Sequence, residues 1–314
     1  MGLKLALAIG LAAALCSAAV AQNAPSWPQP DTANLPAGPF KDTVLYGQKL
    51  FTETYALVGP EVANTAMHFS GNNLSCQSCH LNEGTQQFGL PLIGVYGLFP
   101  MYIARENEVR TLEERINGCF ERSMNGKTLP LDSKEMKALI AYMQFLSTGI
   151  AVGTAPNGRG TPALPLMTRA ADPKHGAAVY AQTCAACHQA DGQGARNGAK
   201  GDAKGYRYPP LWGPDSFNDG AGMHRLMAAA NFIHANMPFG TTYKSPILSN
   251  EDAWDVAAYI NSQPRPKRAH LERDYPDRSR KPVDAPFLPF ADNFPLAQHQ
   301  YGPFQPIIDA QKTR

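Results

Sequence analysis

The sequence predicts a mainly α-helical chain: two tandem helical domains joined by a Gly/Pro linker, then an extended proline-rich C-terminal tail. Three observations carry that reading. A Cys-x-x-Cys-His motif occurs twice, at Cys76-Gln77-Ser78-Cys79-His80 and at Cys184-Ala185-Ala186-Cys187-His188. Around each motif the same order of helix, motif, loop, sulfur residue and closing helix recurs, as duplication of a domain would leave it. Between the two sets, residues 150–168 hold Gly153, Pro156, Gly158, Gly160, Pro162 and Pro165, which is the composition of a connection.

The elements follow in order. Met1 to Ala21 reads as a cleaved secretory signal, with Lys4 as its basic start, Leu5 to Leu15 as its apolar run and Ala19-Val20-Ala21 before the cut. That run is short for a span, which needs about 20 apolar residues. No other stretch is long and apolar enough, so an exported, periplasmic protein without a membrane span is expected. Five prolines between residues 22 and 41 give an irregular start to a first domain set at 22–149. Asp42 is the expected cap of a helix to about Glu53, with Val44, Leu45, Gln48 and Phe51 at helical spacing. Glycines and prolines from 81 to 101 suit a loop around a flat group. Thr111 with Glu114 forms a capping box and so starts a helix on which Arg115, Cys119 and Arg122 or Ser123 share a face. Asp132 with Glu135 repeats the capping signal before Met136, Leu139, Ile140, Met143 and Leu146, a helix that stops at Gly149.

The second domain is set at 169–263. Asp172-Pro173 opens its first helix, with proline at the first helical position. A polar, glycine-rich insert runs from Asp191 to Gly205. A helix is expected from Met223 to Ala235, and a last one from Asn250 to Ser262 capped by Ser249. Residues 264–314 hold many prolines and no periodicity, so they should lie as a tail over the surface.

Composition narrows the function. The 314 residues are 44% hydrophobic, enough for two small cores, and carry a formal charge of +2. Neither a nucleic-acid partner nor a polybasic membrane patch is indicated. The chain has six cysteines, and Cys16 leaves with the leader. Four more belong to the two motifs, whose thiols add to porphyrin vinyl groups while the following histidine is set under the iron. Two covalently bound haems c are therefore expected, and the repeated order is that of a duplicated cytochrome c-type domain.

His188 needs a ligand on the far side of its iron. Met223 and Met227 lie in an apolar helix where core packing accounts for them. Met237, before Pro238, lies where a loop can present sulfur to iron. For His80 the choices are Met101, Met124 and Cys119. Cys119 is the remaining thiol, and it lies among Arg105, Arg110, Arg115 and Arg122, which would favour thiolate. The plainer readings are a buried apolar cysteine, and arginines that face solvent or pair with haem propionates.

The run Thr111-Leu112-Glu113-Glu114-Arg115-Ile116-Asn117-Gly118-Cys119-Phe120-Glu121-Arg122-Ser123-Met124-Asn125-Gly126 resembles the di-haem thiosulfate dehydrogenase/tetrathionate reductase family of cytochromes c. So do Pro210-Leu211-Trp212-Gly213-Pro214-Asp215-Ser216-Phe217 and Tyr301-Gly302-Pro303-Phe304. The resemblance covers most of the mature chain, and the cysteine segment is its specific part. It implies an oxidoreductase that interconverts two thiosulfates and tetrathionate, passing two electrons to or from a carrier such as a small cytochrome c. It also implies His80 and Cys119 as ligands of the active-site haem, with Arg105, Arg115 and Ser123 near substrate. Some members carry lysine just before the second methionine ligand; here that residue is Asn236, which favours a stable His188/Met237 pair. A plain di-haem carrier, or a subunit of a larger sulfur-oxidising complex, are the rival readings.

Overall fold

The computed structural model describes residues 27–312, so the secretory signal read at 1–21 lies outside the described residues. The chain is mainly helical. Its principal helices are α1 (Pro39–Thr52), α2 (Leu112–Arg122), α3 (Lys134–Leu146), α4 (Pro173–Thr183), α5 (Leu226–Asn236) and α6 (Asn250–Ser262). Two short antiparallel hairpins interrupt them, β1 (Met101–Ile103) with β2 (Glu108–Arg110), and β3 (Ala195–Arg196) with β4 (Tyr206–Tyr208). The hairpins stand where the sequence reading had only loop.

Each helix pair is built around one glycine. In the first set α1 crosses α3, and a Cβ on Gly47 would stand 2.0 Å from the Ala138 carbonyl oxygen. In the second set α4 crosses α6, and a Cβ on Gly176 would stand 1.9 Å from the Asp255 carbonyl oxygen. Only glycine allows either backbone approach. Val44, Leu50, Phe51, Met136, Leu139 and Tyr142 fill the first core. Val179, Tyr180, Trp212, Val256 and Ile260 lie beside the second crossing.

Helix starts show where capping signals compete. The Thr111/Glu114 box forms as expected, and Asp172 and Ser249 cap α4 and α6. The first helix begins earlier than Asp42, at Pro39, whose fixed φ suits the first helical position; Asp42 falls in the first turn. Ser133 rather than Asp132 caps α3: a turn closes from Ser133 N–H to the Pro130 carbonyl, and the Ser133 hydroxyl then accepts from Met136 N. Helix α5 starts at Leu226, not Met223. Arg225 is held by Asp284, whose other carboxylate oxygen accepts from Met227 N at 3.0 Å, so the tail supplies that cap.

The proline-rich tail is irregular over most of its length, but besides the Asp284 stretch two further parts of it are built into the molecule. Near its end, α7 (Leu296–Tyr301) and α8 (Gln305–Lys312) place Phe304 and Ile307 in a core with Trp254, Leu226 and Ala230. Earlier, Asp274 reaches the first domain, where both of its oxygens accept from Arg122 at 2.7 and 2.8 Å. Arg122 is 5% exposed and Asp274 is 8% exposed. The polar insert also crosses to the first domain, with Arg196 Nη2 at 2.6 and 2.5 Å from the Glu61 carboxylate.

Three substitutions test these supports, one of them as a control. Gly176→Ala should destabilise the protein by about 1–3 kcal/mol. Gly222→Ala, where an added Cβ meets nothing within 4 Å, should cost less than about 0.5 kcal/mol. Asp274→Asn leaves the buried Arg122 with only the more distant Glu106, 3.7 Å away, as counter-charge and should cost about 3–5 kcal/mol. Denaturant unfolding of the holoprotein measures all three, and equal midpoints for wild type and Asp274→Asn would remove the tail clamp from the account.

Candidate active site

The capping box fixes the register of α2, and the i, i+4 spacing brings the Arg115 guanidinium onto Cys119: Nη1 lies 2.9 Å from Sγ. Two cavities meet at this pair. One, of about 610 Å³, is lined by Cys76, Cys79, His80 and Cys119 with apolar walls that include Phe51 and Leu139. The other, of about 990 Å³, is lined by Arg105, Arg115, Cys119 and Ser123, and by residues of the tail. Arg115, Cys119 and Ser123 belong to both walls.

The first cavity fits a c-type haem. Three thiols and an imidazole converge on it. His80 Nδ1 donates to the Leu90 carbonyl at 2.6 Å, which fixes the tautomer and leaves Nε2 with the lone pair an iron needs. The same device recurs in the second domain, where His188 Nδ1 donates to the Pro209 carbonyl at 2.8 Å. Burial pushes the Cys76 thiol up to about 11 and Cys79 up to about 12, as suits sulfurs that end in thioethers rather than as free thiolates. Burial also pushes Cys119 up, but Arg115 and His80 together outweigh it and bring that thiol down to about 6. His80 and Cys119 thus face each other closely enough to interact.

The other candidates separate. Met124 is buried in the first core and, like Met101, borders the haem cavity. Met237 is the half-buried C-cap of α5 with extended backbone, outside the helix and before Pro238. Met223 lies in a 3-10 turn and Met227 packs on the second core. Among the described residues no hydrogen bond or ring contact joins His188 to Met237.

Charge in the larger cavity is unevenly committed. Arg122, read as one choice for the face shared with Arg115, is instead buried against Asp274, because it points into the joint with the tail. Ser123, half-buried, lines both cavities instead. Arg110 pairs with Glu108 and Glu114, and Arg268 with Glu121. Arg105 donates to the Tyr275 hydroxyl and the Gly220 carbonyl, each at 3.4 Å, and lies 3.9 Å from Asp274. Among the described residues Arg115 has no carboxylate partner. Reading the sequence by periodicity missed Arg268, Arg273, Asp274 and Tyr275. The dense run of charge from Arg265 to Lys281, unusual for a solvent-washed tail, was the available signal.

The sequence matches known proteins over both domains. Residues 66–152 match the SoxA/TsdA cytochrome c domain and residues 173–264 match the cytochrome c family. The thiosulfate dehydrogenase of Allochromatium vinosum is 43% identical over 242 residues, 76% of this chain and 83% of that protein. That of Stutzerimonas stutzeri is 40% identical over 251 residues, 80% and 76% of the two chains. The solved thiosulfate dehydrogenase (TsdBA) from Marichromatium purpuratum, in its as-isolated form, superposes with a TM-score of 0.68 at 38% identity; the match covers 77% of this chain and 50% of that one. Two tandem cytochrome c domains with two covalent haem c sites, matched along most of their length, place the chain in the thiosulfate dehydrogenase family of cytochromes c.

Proposed function

We propose that the chain interconverts two thiosulfates and one tetrathionate at Cys119, exchanging two electrons with an external carrier such as a small cytochrome c. The observation that carries this reading is that one thiol, 2.9 Å from an uncommitted guanidinium, forms part of both the haem cavity and the arginine-lined cavity. His80 and Cys119 would hold the iron of the first haem, and His188 and Met237 that of the second. When bound, the haems supply one-electron redox capacity on the two sides of the reaction.

The residues do the rest. Two thiosulfate dianions about 5 Å apart repel by about 13 kcal/mol at an effective dielectric of about 20. They can therefore meet only where cations offset that charge. Arg115 and Arg105 supply guanidinium forks for sulfonate oxygens, and Ser123 a hydroxyl donor. Cys119 thiolate and the sulfane sulfur of one thiosulfate join in a Cys119–S–S–sulfonate, releasing two electrons. The sulfane sulfur of the second thiosulfate then attacks that outer sulfur, expelling Cys119 thiolate and leaving tetrathionate. No proton is consumed, and the reverse sequence reduces tetrathionate. The domain limits set from the sequence, cleavage after Ala21 and a periplasmic location complete the proposal; among the described residues no helix is long and apolar enough to cross a membrane.

Purified holoprotein should reduce an artificial acceptor with thiosulfate, forming tetrathionate at half the thiosulfate consumed. No turnover in either direction with both haems attached would refute the reading and leave an electron carrier. Cys119→Ala should keep both haems, seen as two haem-stained equivalents per chain, while turnover falls by about 10³ or more. Wild-type rates in that variant would exclude the covalent route.

A further inference from the structure

The tail does more than close the joint between domains. Residues Arg268, His270, Arg273, Asp274 and Tyr275 line the same cavity as Cys119, Arg115 and Ser123. Within this group the backbone around Arg273 is pinned on both sides. The Asp274 carboxylate is clamped by Arg122, and Tyr275 N–H donates to the Arg105 carbonyl at 2.7 Å. Arg278 donates to the carbonyls of Glu272, Asp274 and Tyr275, tying the segment from behind. Arg273 itself is exposed, and among the described residues its guanidinium has no carboxylate or carbonyl partner. A fixed backbone presenting an uncommitted guanidinium to an arginine-lined cavity is the arrangement of a preorganised anion site.

We propose that Arg273 is a substrate-binding residue that holds the sulfonate end of the second thiosulfate, or the outer sulfonate of tetrathionate. The assignment rests on the proposed reaction. In tetrathionate the two sulfonates are the ends of a four-sulfur chain, so bringing two sulfane sulfurs together turns the sulfonates apart. One cationic group beside Cys119 cannot serve both ends. Arg115 is placed for the inner end with Arg105 behind it, the latter already held by Tyr275, the Gly220 carbonyl and Asp274; among the described residues of this cavity the other guanidinium free of a carboxylate is Arg273. Arg268, engaged with Glu121, is less available for it.

The test uses holoprotein of the full mature chain. Arg273→Gln should raise the KM for thiosulfate about tenfold and weaken tetrathionate binding to the fully oxidised protein, followed by calorimetry, by a similar factor. In that oxidised state no electrons are available to reduce the ligand. Arg273→Lys keeps the charge and should lie within about threefold of wild type in both measurements. Unchanged KM and unchanged tetrathionate affinity in Arg273→Gln would overturn the assignment. So would a lysine variant as impaired as glutamine, since a charge-bearing role would then be excluded. If wild type turns over thiosulfate normally and only the Arg273 outcome fails, the reaction stands and this site falls. If wild type neither turns over thiosulfate nor binds tetrathionate, both fall.

Discussion

A guanidinium four residues before a thiol on one helix is the contact from which the rest of this active site follows. The α2 register sets it, and the Thr111/Glu114 capping box sets the register. With Arg115 Nη1 2.9 Å from Sγ, Cys119 lies well below the usual thiol range despite its burial. A thiol held that way can serve a metal on one side and a sulfur nucleophile's chemistry on the other. A one-residue slip of α2 would turn Cys119 by about 100° around the helix and separate the two cavities' shared wall. The buried Arg122–Asp274 pair guards against that slip, since it fixes the end of α2 from outside the helix.

The duplicated scaffold holds its two halves face to face along several polar joints rather than through one apolar seam. Asp215 accepts from Asn73, and Asn218 donates to the Glu121 carbonyl and to Asn125, so the turn after Trp212 grips the end of α2. A second joint links the loops that flank the two haem sites. Gln86 donates to Asn236 Oδ1 at 2.7 Å, Asn236 donates to the Phe88 carbonyl, and Phe88 packs on Tyr243 with ring centroids 4.5 Å apart. Asn236 immediately precedes Met237, and the Phe88 loop carries the Leu90 carbonyl that orients His80. The proposed ligand sets are therefore joined through a short series of bonded contacts.

What was legible in the sequence was local and periodic. Two Cys-x-x-Cys-His motifs, the capping box and the i, i+4 face identify two domains and join Arg115 to Cys119 without any tertiary information. The failures have a common cause, which is that a partner far along the chain decides a local outcome. Asp284 moves the start of α5 from Met223 to Leu226. Asp274 takes Arg122 out of the reactive face. Phe304 and Ile307 enter a core although the segment around them has too little periodicity to announce a helix. One signal could have been used and was not: Gly47 precedes Phe51, and Gly176 precedes Tyr180, by the same four residues, each glycine at the crossing of its helix pair.

The two domains share a scaffold, and their chemistry diverges through the surroundings of a single sulfur. Cys119 sits inside a helix whose neighbouring turns carry arginines, in a wall shared with a cavity of about 990 Å³. Met237 caps a helix of low charge and is flanked by Asn236, Pro238, Phe239 and Gly240, none of them ionisable. A thioether in that setting can neither be charged nor attack a sulfane sulfur, so as the proposed ligand it would only tune its centre. A thiolate beside guanidiniums can do both, and it is the one placed where two dianions can be brought together. On the proposed assignment, unequal charging of the two sulfur positions is what separates a catalytic domain from its electron relay within one repeated fold.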